Sequence, residues 1–285
     1  MSEAPAAKRQ KASTPDDALP ATYKLIYWPG LPGRGEHVRL AFEEAGVVYE
    51  DTAMHEDAVQ TVLAQISTDN LATGSAPNVP PLAPPILEHG DLTISQTSNI
   101  LMYLAPQLNL AANTSSDDPN AIYRLNALVL TALDGLSNEV HDSHHPICTS
   151  LYFKDQRTEA IRSSKQYVKE RLPKFLGYFE RVLKAQAERD AENKWLYGTE
   201  FTYADLVLFQ CLDGTSHQFP RAVKQLREGG EYERLFALYE AVKQRPNIAA
   251  YLASERRQAY GEGIYRYYKE LDVVPDDGAE AEKKE

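Results

Sequence analysis

The chain has few cysteines, no long apolar run and no apolar N-terminal segment. Its 285 residues include only two cysteines, Cys148 and Cys211, which are far apart and form no CxxC pair. This scarcity excludes a disulfide framework and favours a reduced compartment. No stretch is long and apolar enough for a transmembrane helix, and the start of the chain does not predict secretion. The sequence therefore predicts a cytoplasmic protein without a membrane partner.

Positive charge is scarce as well. The chain has 30 Lys and Arg residues against 41 Asp and Glu residues, and its net charge of −11 argues against a generic nucleic-acid binder. No lysine or arginine occurs between Arg39 and Arg124, so the segment 51–83 offers no permanent cation. The length of the chain suits two modest domains with a sizeable core.

Both ends of the chain differ in composition from its middle. Residues 1–21 are small, polar and proline-containing, which predicts a disordered tail. A short basic cluster in this tail consists of Lys8, Arg9 and Lys11. The cluster is either a solvated part of the tail or a nuclear import signal. Near the other end, a tyrosine-rich extension at 260–268 precedes an acidic tail at 274–285, and it either folds back over a cleft or packs on the surface.

The most informative stretch, residues 23–46, has the pattern of a strand, a turn and a helix. Its first six residues alternate as in a strand, and four turn-forming residues lie within 29–33. Apolar residues at helical spacing follow, and Gly46 stands where a helix C-cap belongs. A strand that enters a helix through such a turn places Tyr27 and Arg34 beside the helix N-terminus, a natural anion site.

The following residues predict a small α/β domain. The predicted elements are a strand at 47–50, a helix at 59–66, a loop at 68–83, two strands within 83–94 and a helix within 95–104. This order is a thioredoxin-like arrangement.

Three spaced motifs resemble those of glutathione transferases, in particular the tyrosine-type branch with the sigma, mu and pi classes. The motifs are the stretch 23–46, the pair formed by Pro84 to Glu88 and Gln96 to Leu104, and a "G-x-x-x-T-x-A-D" box within Trp195 to Leu206. The resemblance covers about residues 22–255, and we expect a member of fungal or bacterial type.

The resemblance implies the glutathione-transferase fold, an α/β N-terminal thioredoxin-like domain plus an all-α C-terminal domain. The implied boundaries are a tail at 1–21, a glutathione-binding domain at 22–105, a linker at 106–118, a helical domain at 119–273 and an acidic tail at 274–285. Inside the helical domain, a core-facing stripe predicts one long helix from 122 to 140. Thr202 and Asp205 fit a capping box.

The resemblance also implies roles for residues of the N-terminal domain. It makes Tyr27 the donor of a hydrogen bond to the glutathione sulfur, although a tyrosine in this place is also a common packed aromatic of a strand. It makes Pro85 a cis proline that turns the preceding backbone toward the ligand. Pro84 and Ile86 flank it in the glutathione site. The sequence departs from the family here, because Pro84 has no N–H and only its carbonyl can bind the cysteinyl part of glutathione.

Both ends of glutathione need partners as well. Gln96 and Thr97, at a helix start, are implied to bind the γ-glutamyl end, whereas the two residues alone would be an ordinary N-cap. Family members usually hold the glycyl carboxylate with a Lys, Arg or Trp from the segment matching 51–83. This segment has none of them, so Arg34 is the leading candidate and His55 the second. Asp134 either reaches the glutathione amine of the partner subunit, as in pi-class relatives, or has a solvated or helix–helix role.

Aromatic and histidine side chains predict the second substrate's pocket. Trp28, His141, His144 and His145 are expected at the mouth of the cleft, where the family binds its electrophile. His141 and His145 share a helix face, so a metal site is conceivable, but no further ligand cluster supports one and no metal is expected.

The function implied is conjugation of the glutathione thiolate to small apolar electrophiles, in detoxification or secondary metabolism. Glutathione would be the co-substrate, and the protein would be a homodimer. The alternatives are a non-enzymatic binding or regulatory protein on the same fold, and isomerisation or reductive dehalogenation with the same thiol.

Overall fold

The computed structural model describes residues 22–73, 78–112 and 118–274. Three predictions lie wholly or mostly outside these residues: the N-terminal tail with its basic cluster, the middle of the linker and the acidic tail. No helix among the described residues is long and apolar enough to cross a membrane.

A four-stranded mixed sheet forms the centre of the N-terminal domain. Its strands are β1 (Tyr23–Ile26), β2 (Tyr49–Asp51), β3 (Ile86–His89) and β4 (Leu92–Ser95). The order is β2-β1-β3-β4, with β1 parallel to β2 and antiparallel to β3. In the central pair of strands Leu25 lies opposite Leu87 and Ile26 opposite Ile86, and all four side chains are fully buried. The second strand begins two residues later than predicted.

Four helices accompany this sheet: α1 (Gly35–Ala45), α2 (Ala58–Gln65), α3 (Thr68–Thr73) and α4 (Thr97–Gln107). Helix α1 ends as predicted at Gly46, which has a left-handed backbone with φ of 66°. The N–H of Gly46 donates to the carbonyl of Glu43 and that of Val47 donates to Phe42, a Schellman closure. The predicted loop at 68–83 is wrong at its start, because its first residues form α3.

The C-terminal domain is helical, as predicted. Its helices are α5 (Ala121–Leu133), α6 (Glu139–His144), α7 (Arg157–Gln166), α8 (Leu172–Arg189), α9 (Tyr203–Gln218), α10 (Pro220–Glu228), α11 (Glu233–Lys243) and α12 (Pro246–Leu252). The predicted capping box starts α9. The buried Asp205 carboxylate accepts the Thr202 N–H at 2.8 Å and the Leu196 N–H at 2.9 Å, so it fixes the chain that enters the helix.

The chain is helical throughout the predicted 122–140, but a π-helical turn at Asp134–Asn138 interrupts the α-helical hydrogen bonding between α5 and α6, which the sequence did not predict. Two carbonyls of this turn bind side chains from distant parts of the chain. Gly135 accepts the Tyr167 hydroxyl at 2.8 Å, and Leu136 accepts the Tyr265 hydroxyl at 2.9 Å. Side-chain hydroxyls that donate to backbone carbonyls of a helix in this way stabilise an irregular turn.

The tyrosine-rich extension folds back onto the molecule. The Tyr265 ring is buried against Gly214, where a Cβ would lie only 2.3 Å from it. Gly263, with φ of 104°, lies against Leu31 of the glycine-rich turn. The C-terminal segment thus reaches from the helical domain to the turn that holds Tyr27.

Candidate active site

Tyr27 lies directly after β1 and beneath the glycine-rich turn. Its side chain is 5% exposed, and its Oη accepts the N–H of Arg34 at 2.8 Å. A Cβ on Gly33 would lie 2.2 Å from Oη, and a Cβ on Gly35 would lie 2.6 Å from the ring. Gly33 also has φ of 50°. Both glycines are therefore required for the turn to close over this tyrosine.

The surroundings of Tyr27 keep its hydroxyl protonated and polarised. Burial raises the pKa of the phenol, while the Arg34 N–H and the Arg34 and Arg39 charges act in the opposite direction. The hydroxyl therefore holds its proton at neutral pH. The described residues give it a donor and no acceptor, so the proton remains available to a ligand outside the fold.

The predicted cis bond is confirmed between Pro84 and Pro85. Ile86 follows it at the start of β3 and is fully buried opposite Ile26. Pro84 has a carbonyl and no N–H, so it can only accept a hydrogen bond through its backbone.

Gln96 and Thr97 have unusual conformations and contacts at the start of α4. Gln96 has φ of 74° and ψ of 119° and an exposed side chain, a backbone state that non-glycine residues rarely adopt. Thr97 is buried, and its Oγ1 has no hydrogen-bond partner among the described residues. Strain beside an unpaired buried hydroxyl at a helix start is typical of a ligand contact.

Arg34 extends toward the helical domain. Its guanidinium donates to Asn138 Oδ1 at 2.7 Å. Asn138 Nδ2 in turn donates to Oδ1 of the exposed Asp134 at 3.3 Å. The second candidate for the glycyl carboxylate, His55, is exposed and lies 3.9 Å from Glu50. The structure therefore joins Arg34 to Tyr27 through its backbone and to Asp134 through Asn138.

The three predicted histidines form one cluster at the end of α6. The ring centroids of His141, His144 and His145 lie 4.6 to 5.0 Å apart. His144 Nε2 donates to the Ile264 carbonyl at 2.9 Å, so the cluster also holds the C-terminal segment. Burial lowers the pKa of all three imidazoles, to about 3 for His144. No set of three or more metal-ligating side chains in the described part of the chain is arranged to hold a metal ion.

Trp28 lies apart from this cluster. It packs against a small core formed by Ile26, Val62 and Ile86, on the sheet side. A cavity of about 460 Å³ lies beside His145. Its lining consists of His145, residues 149–154, Glu262, Arg266 and Tyr268. Of the four residues predicted for the electrophile, only His145 lines this cavity.

Sequence reasoning missed Arg39. Its side chain is fully buried, and its guanidinium carbon lies 5.6 Å from the centroid of the Tyr27 ring. Glu36 pairs with it at 3.3 Å from three residues earlier. Opposite charges at this spacing in the helix after the turn were the signal that could have found the pair.

The fold and the site define a thioredoxin-like protein with an attached helical domain and a buried tyrosine hydroxyl that is free to donate. Residues 141–255 match the family model described as glutathione S-transferase, C-terminal domain. A glutathione S-transferase of Plasmodium falciparum is 26% identical over 239 residues, which cover 83% of this chain and 98% of that protein. A glutathione S-transferase of Dirofilaria immitis is 24% identical over 233 residues, which cover 81% and 92%.

A solved structure agrees in fold. The glutathione S-transferase from Ascaris lumbricoides superimposes with a TM-score of 0.55 at 22% identity, and the match covers 84% of this chain and 98% of that one. Over most of its length the chain is thus similar to glutathione S-transferases, and residues 141–255 match the C-terminal model of that family. The predicted resemblance and the predicted fold class are confirmed, while the fungal or bacterial type stays a prediction.

Proposed function

We propose that the protein is a glutathione transferase that joins the glutathione thiolate to small apolar electrophiles, in detoxification or secondary metabolism. The observation that carries this proposal is the Tyr27 hydroxyl, which is protonated, buried and without an acceptor among the described residues. The names of the relatives support the same activity.

The chemistry requires little more than this hydroxyl. A free thiol with a pKa of about 8.5 is only a few per cent thiolate at neutral pH. A hydroxyl that donates to the sulfur stabilises the anion, and each pKa unit of stabilisation corresponds to about 1.4 kcal/mol. The thiolate then attacks the electrophile, the new C–S bond forms, and the leaving group departs with the electron pair of its bond. Positioning of the two substrates supplies the remaining rate gain.

We place glutathione along the edge formed by β3 and α4. Gln96 and the Thr97 hydroxyl would hold the γ-glutamyl end at the α4 N-terminus, which supports a carboxylate. The Pro84 carbonyl would accept the cysteinyl N–H beside Pro85 and Ile86. Because Pro84 has no N–H, the hydrogen bond that this residue would otherwise donate to the cysteinyl carbonyl is missing, which costs about 0.5–1.5 kcal/mol of binding free energy.

The electrophile would approach from the histidine cluster. His141, His144 and His145 are uncharged at neutral pH and present flat rings beside the Arg34–Asn138 contact. Trp28 would bound the opposite, sheet side of the cleft. No step of this chemistry needs a metal.

The experiment that tests the function is glutathione-affinity binding followed by a conjugation assay with a generic aryl halide. Binding with turnover supports the proposal. Binding without turnover for any electrophile class would favour a binding or regulatory protein on the same fold. Isomerisation of an added enone without net glutathione consumption would favour the isomerase alternative.

Arg34→Ala is expected to weaken glutathione binding. We propose that Arg34 leaves Asn138 and clamps the glycyl carboxylate, because the segment 51–83 has no cation. The loss of one charge-assisted hydrogen bond should weaken the binding free energy of glutathione by about 1.5–3 kcal/mol, which calorimetry measures through Kd. Asn138→Ala is the matched control, since it frees Arg34 and should not weaken binding. A glutathione analogue amidated at glycine should bind wild type and Arg34→Ala equally, and a variant that binds glutathione as tightly as wild type contradicts the clamp.

The protein is expected to be a homodimer, with Asp134 of one subunit close to the glutathione amine of the other. Several large apolar side chains stand exposed in the described structure, among them Val79, Leu82 and Tyr123. Their burial between two copies would remove an unfavourable apolar surface from water. Light scattering should give twice 31.9 kDa, and a monomeric mass at micromolar concentration would refute the dimer.

We further propose a cytoplasmic location. A fluorescent fusion should fill the cytoplasm, and exclusive nuclear signal that is lost on changing Lys8, Arg9 and Lys11 to alanine would instead assign the basic cluster to nuclear import.

A further inference from the structure

A series of alternating charges leads from the neighbourhood of Tyr27 into the helical domain. Its members are Asp51, Arg39, Glu36, Arg257 and Asp213. Arg39 lies 2.6 Å from Asp51 and 3.3 Å from Glu36. Arg257 lies 2.9 Å from Glu36 and 3.2 Å from Asp213. The first three residues of this charge series belong to the N-terminal domain, and the last two to the helical domain.

The charge series is buried where it meets Tyr27. The side chains of Arg39 and Glu36 are fully buried, and that of Arg257 is 10% exposed. A guanidinium does not lose its proton, so a buried arginine needs anionic partners to remain in place. Arg39 also donates to the Pro32 carbonyl at 3.1 Å, which ties it to the turn over Tyr27. Its charge is therefore held in one position.

That position acts on the tyrosine ring. The Arg39 guanidinium carbon is 5.6 Å from the ring centroid, within the range of a cation–π contact. A fixed positive charge beside the ring stabilises negative charge on the phenol oxygen, and so makes the hydroxyl a stronger hydrogen-bond donor. Arg34 is a second charged group beside Tyr27. Tyr251 faces Arg39 and Glu36, Tyr49 faces Arg39, and His37 faces Arg34 and Arg257.

We propose that Arg39 is a positioning residue that strengthens the Tyr27 hydroxyl as donor to the glutathione thiolate, and that Arg257 sustains it through Glu36. The inference rests on the proposed function, because it concerns the same thiolate. Arg257 touches neither Tyr27 nor the space beside the Tyr27 hydroxyl in the described structure; its contacts are Glu36, Asp213, Gln210 and Tyr260. Its influence must pass through the charges of the series.

The test measures the pKa of the thiol of bound glutathione from the ultraviolet absorbance of the thiolate. Arg257→Met removes one of the two positive charges that neutralise Glu36. The negative charge of Glu36 then cancels more of the positive field that Arg39 exerts on the Tyr27 hydroxyl. The variant is expected to raise the thiol pKa by about 0.5–1 unit, which lowers kcat/KM at pH 6.5 about 3- to 10-fold. The rate well above the thiol pKa should change little. Arg257→Lys keeps the charge and should restore most of the effect.

A second variant tests the sign. Asp213→Asn removes the negative charge at the far end, so the thiol pKa should fall, by a smaller amount because Asp213 is farther away and 23% exposed. Arg256→Met is the matched control. It removes the neighbouring arginine, which pairs with Glu43 of the same helix and is not part of the charge series. A merely structural role would lower stability in all these variants and leave the pH profile of the rate in place.

The outcomes separate this inference from the function on which it rests. If wild type does not bind glutathione or does not lower its thiol pKa, the proposed function fails whatever Arg257 does. If wild type lowers the thiol pKa and the pH profiles of Arg257→Met, Asp213→Asn and wild type superimpose, only the role of the charge series is overturned. In a Tyr27→Phe background the effect of Arg257→Met should vanish, because the two act on one hydrogen bond.

Discussion

A Tyr27→Phe variant is expected to conjugate glutathione about 100-fold more slowly than wild type while binding glutathione within a few-fold. Loss of the hydroxyl removes the proposed donor to the glutathione sulfur, and two pKa units of thiol acidity correspond to about 2.7 kcal/mol. Binding should be preserved because the contacts proposed at Gln96, Thr97 and Pro84 do not involve Tyr27. The phenylalanine ring fits the same space beneath Gly33 and Gly35, so the fold should not change.

The matched control is Tyr23→Phe on the same strand. The Tyr23 hydroxyl donates to Gln107 Oε1 at 3.1 Å on an exposed side of the domain. Its loss should leave the rate and its pH profile unchanged. The pH profile of kcat/KM decides the mechanism, since the apparent pKa should move up by about two units in Tyr27→Phe alone. A Tyr27→Phe enzyme with full activity would exclude this residue as the donor.

Local signals predicted the parts of the fold that depend on neighbouring residues. The strand, turn and helix around Tyr27, the closure at Gly46 and the capping box of Thr202 and Asp205 each need only a few consecutive residues. The cis bond at Pro85 came from the resemblance to the family and not from a local pattern.

Long-range contacts explain what could not be predicted. The π-helical turn at Asp134–Asn138 depends on hydroxyls of Tyr167 and Tyr265, which lie far along the chain. The sequence also left two paths open for the extension at 260–268, over the cleft or on the surface, because its contacts are with residues far away in the chain. The sequence around Arg257 does not identify its charged partners, because Glu36 lies in the other domain and Asp213 lies 44 residues earlier in the helical domain.

In the candidate site, too, the identity of some residues could be predicted, whereas their conformation and packing could not. The resemblance to the family, and not the local residue types, indicated Tyr27, Gln96 and Thr97. Neither the strained backbone of Gln96 nor the unpaired Thr97 hydroxyl can be predicted from a sequence. The histidine cluster was expected from helical spacing, whereas Trp28 lies with the sheet because Ile26 and Val62 cover its ring. Spacing predicts which residues share a helix face, and packing decides what they meet.

Acid is expected to destabilise the protein steeply below about pH 6.5. His37 and His144 are both fully buried, and burial lowers the pKa of each to about 3, with nearby arginines acting in the same direction. In the unfolded chain each imidazole has a pKa of about 6.5. The unfolded state therefore binds protons that the folded state excludes, and stability is lost as the pH falls from 6.5 toward 3. Above pH 6.5 these two groups have no effect.

The loss of unfolding free energy depends on how far the pH lies below 6.5, the pKa of each imidazole in the unfolded chain. At pH 5 each histidine should cost about 2 kcal/mol of unfolding free energy, or about 4 kcal/mol together. This is a large part of the 5–15 kcal/mol or so that stabilises an ordinary domain. Asp205 acts in the opposite direction, because burial raises its pKa to about 6 and its protonation stabilises the fold as the pH falls. Because Asp205 is present in wild type and in every histidine variant, its contribution cancels when their unfolding free energies are compared.

Urea unfolding of wild type and His37→Leu at pH 7 and pH 5 isolates one histidine. Neither ring nitrogen of His37 has a hydrogen-bond partner among the described residues, so a leucine of similar size should be tolerated at pH 7. The loss of unfolding free energy between pH 7 and pH 5 should be about 2 kcal/mol smaller in His37→Leu than in wild type. His144→Leu should behave alike after a cost of about 1 kcal/mol at pH 7 for its bond to Ile264. The control His55→Gln, at an exposed site, should keep the wild-type loss, and equal losses in all four proteins would show that the buried histidines do not set the acid limit.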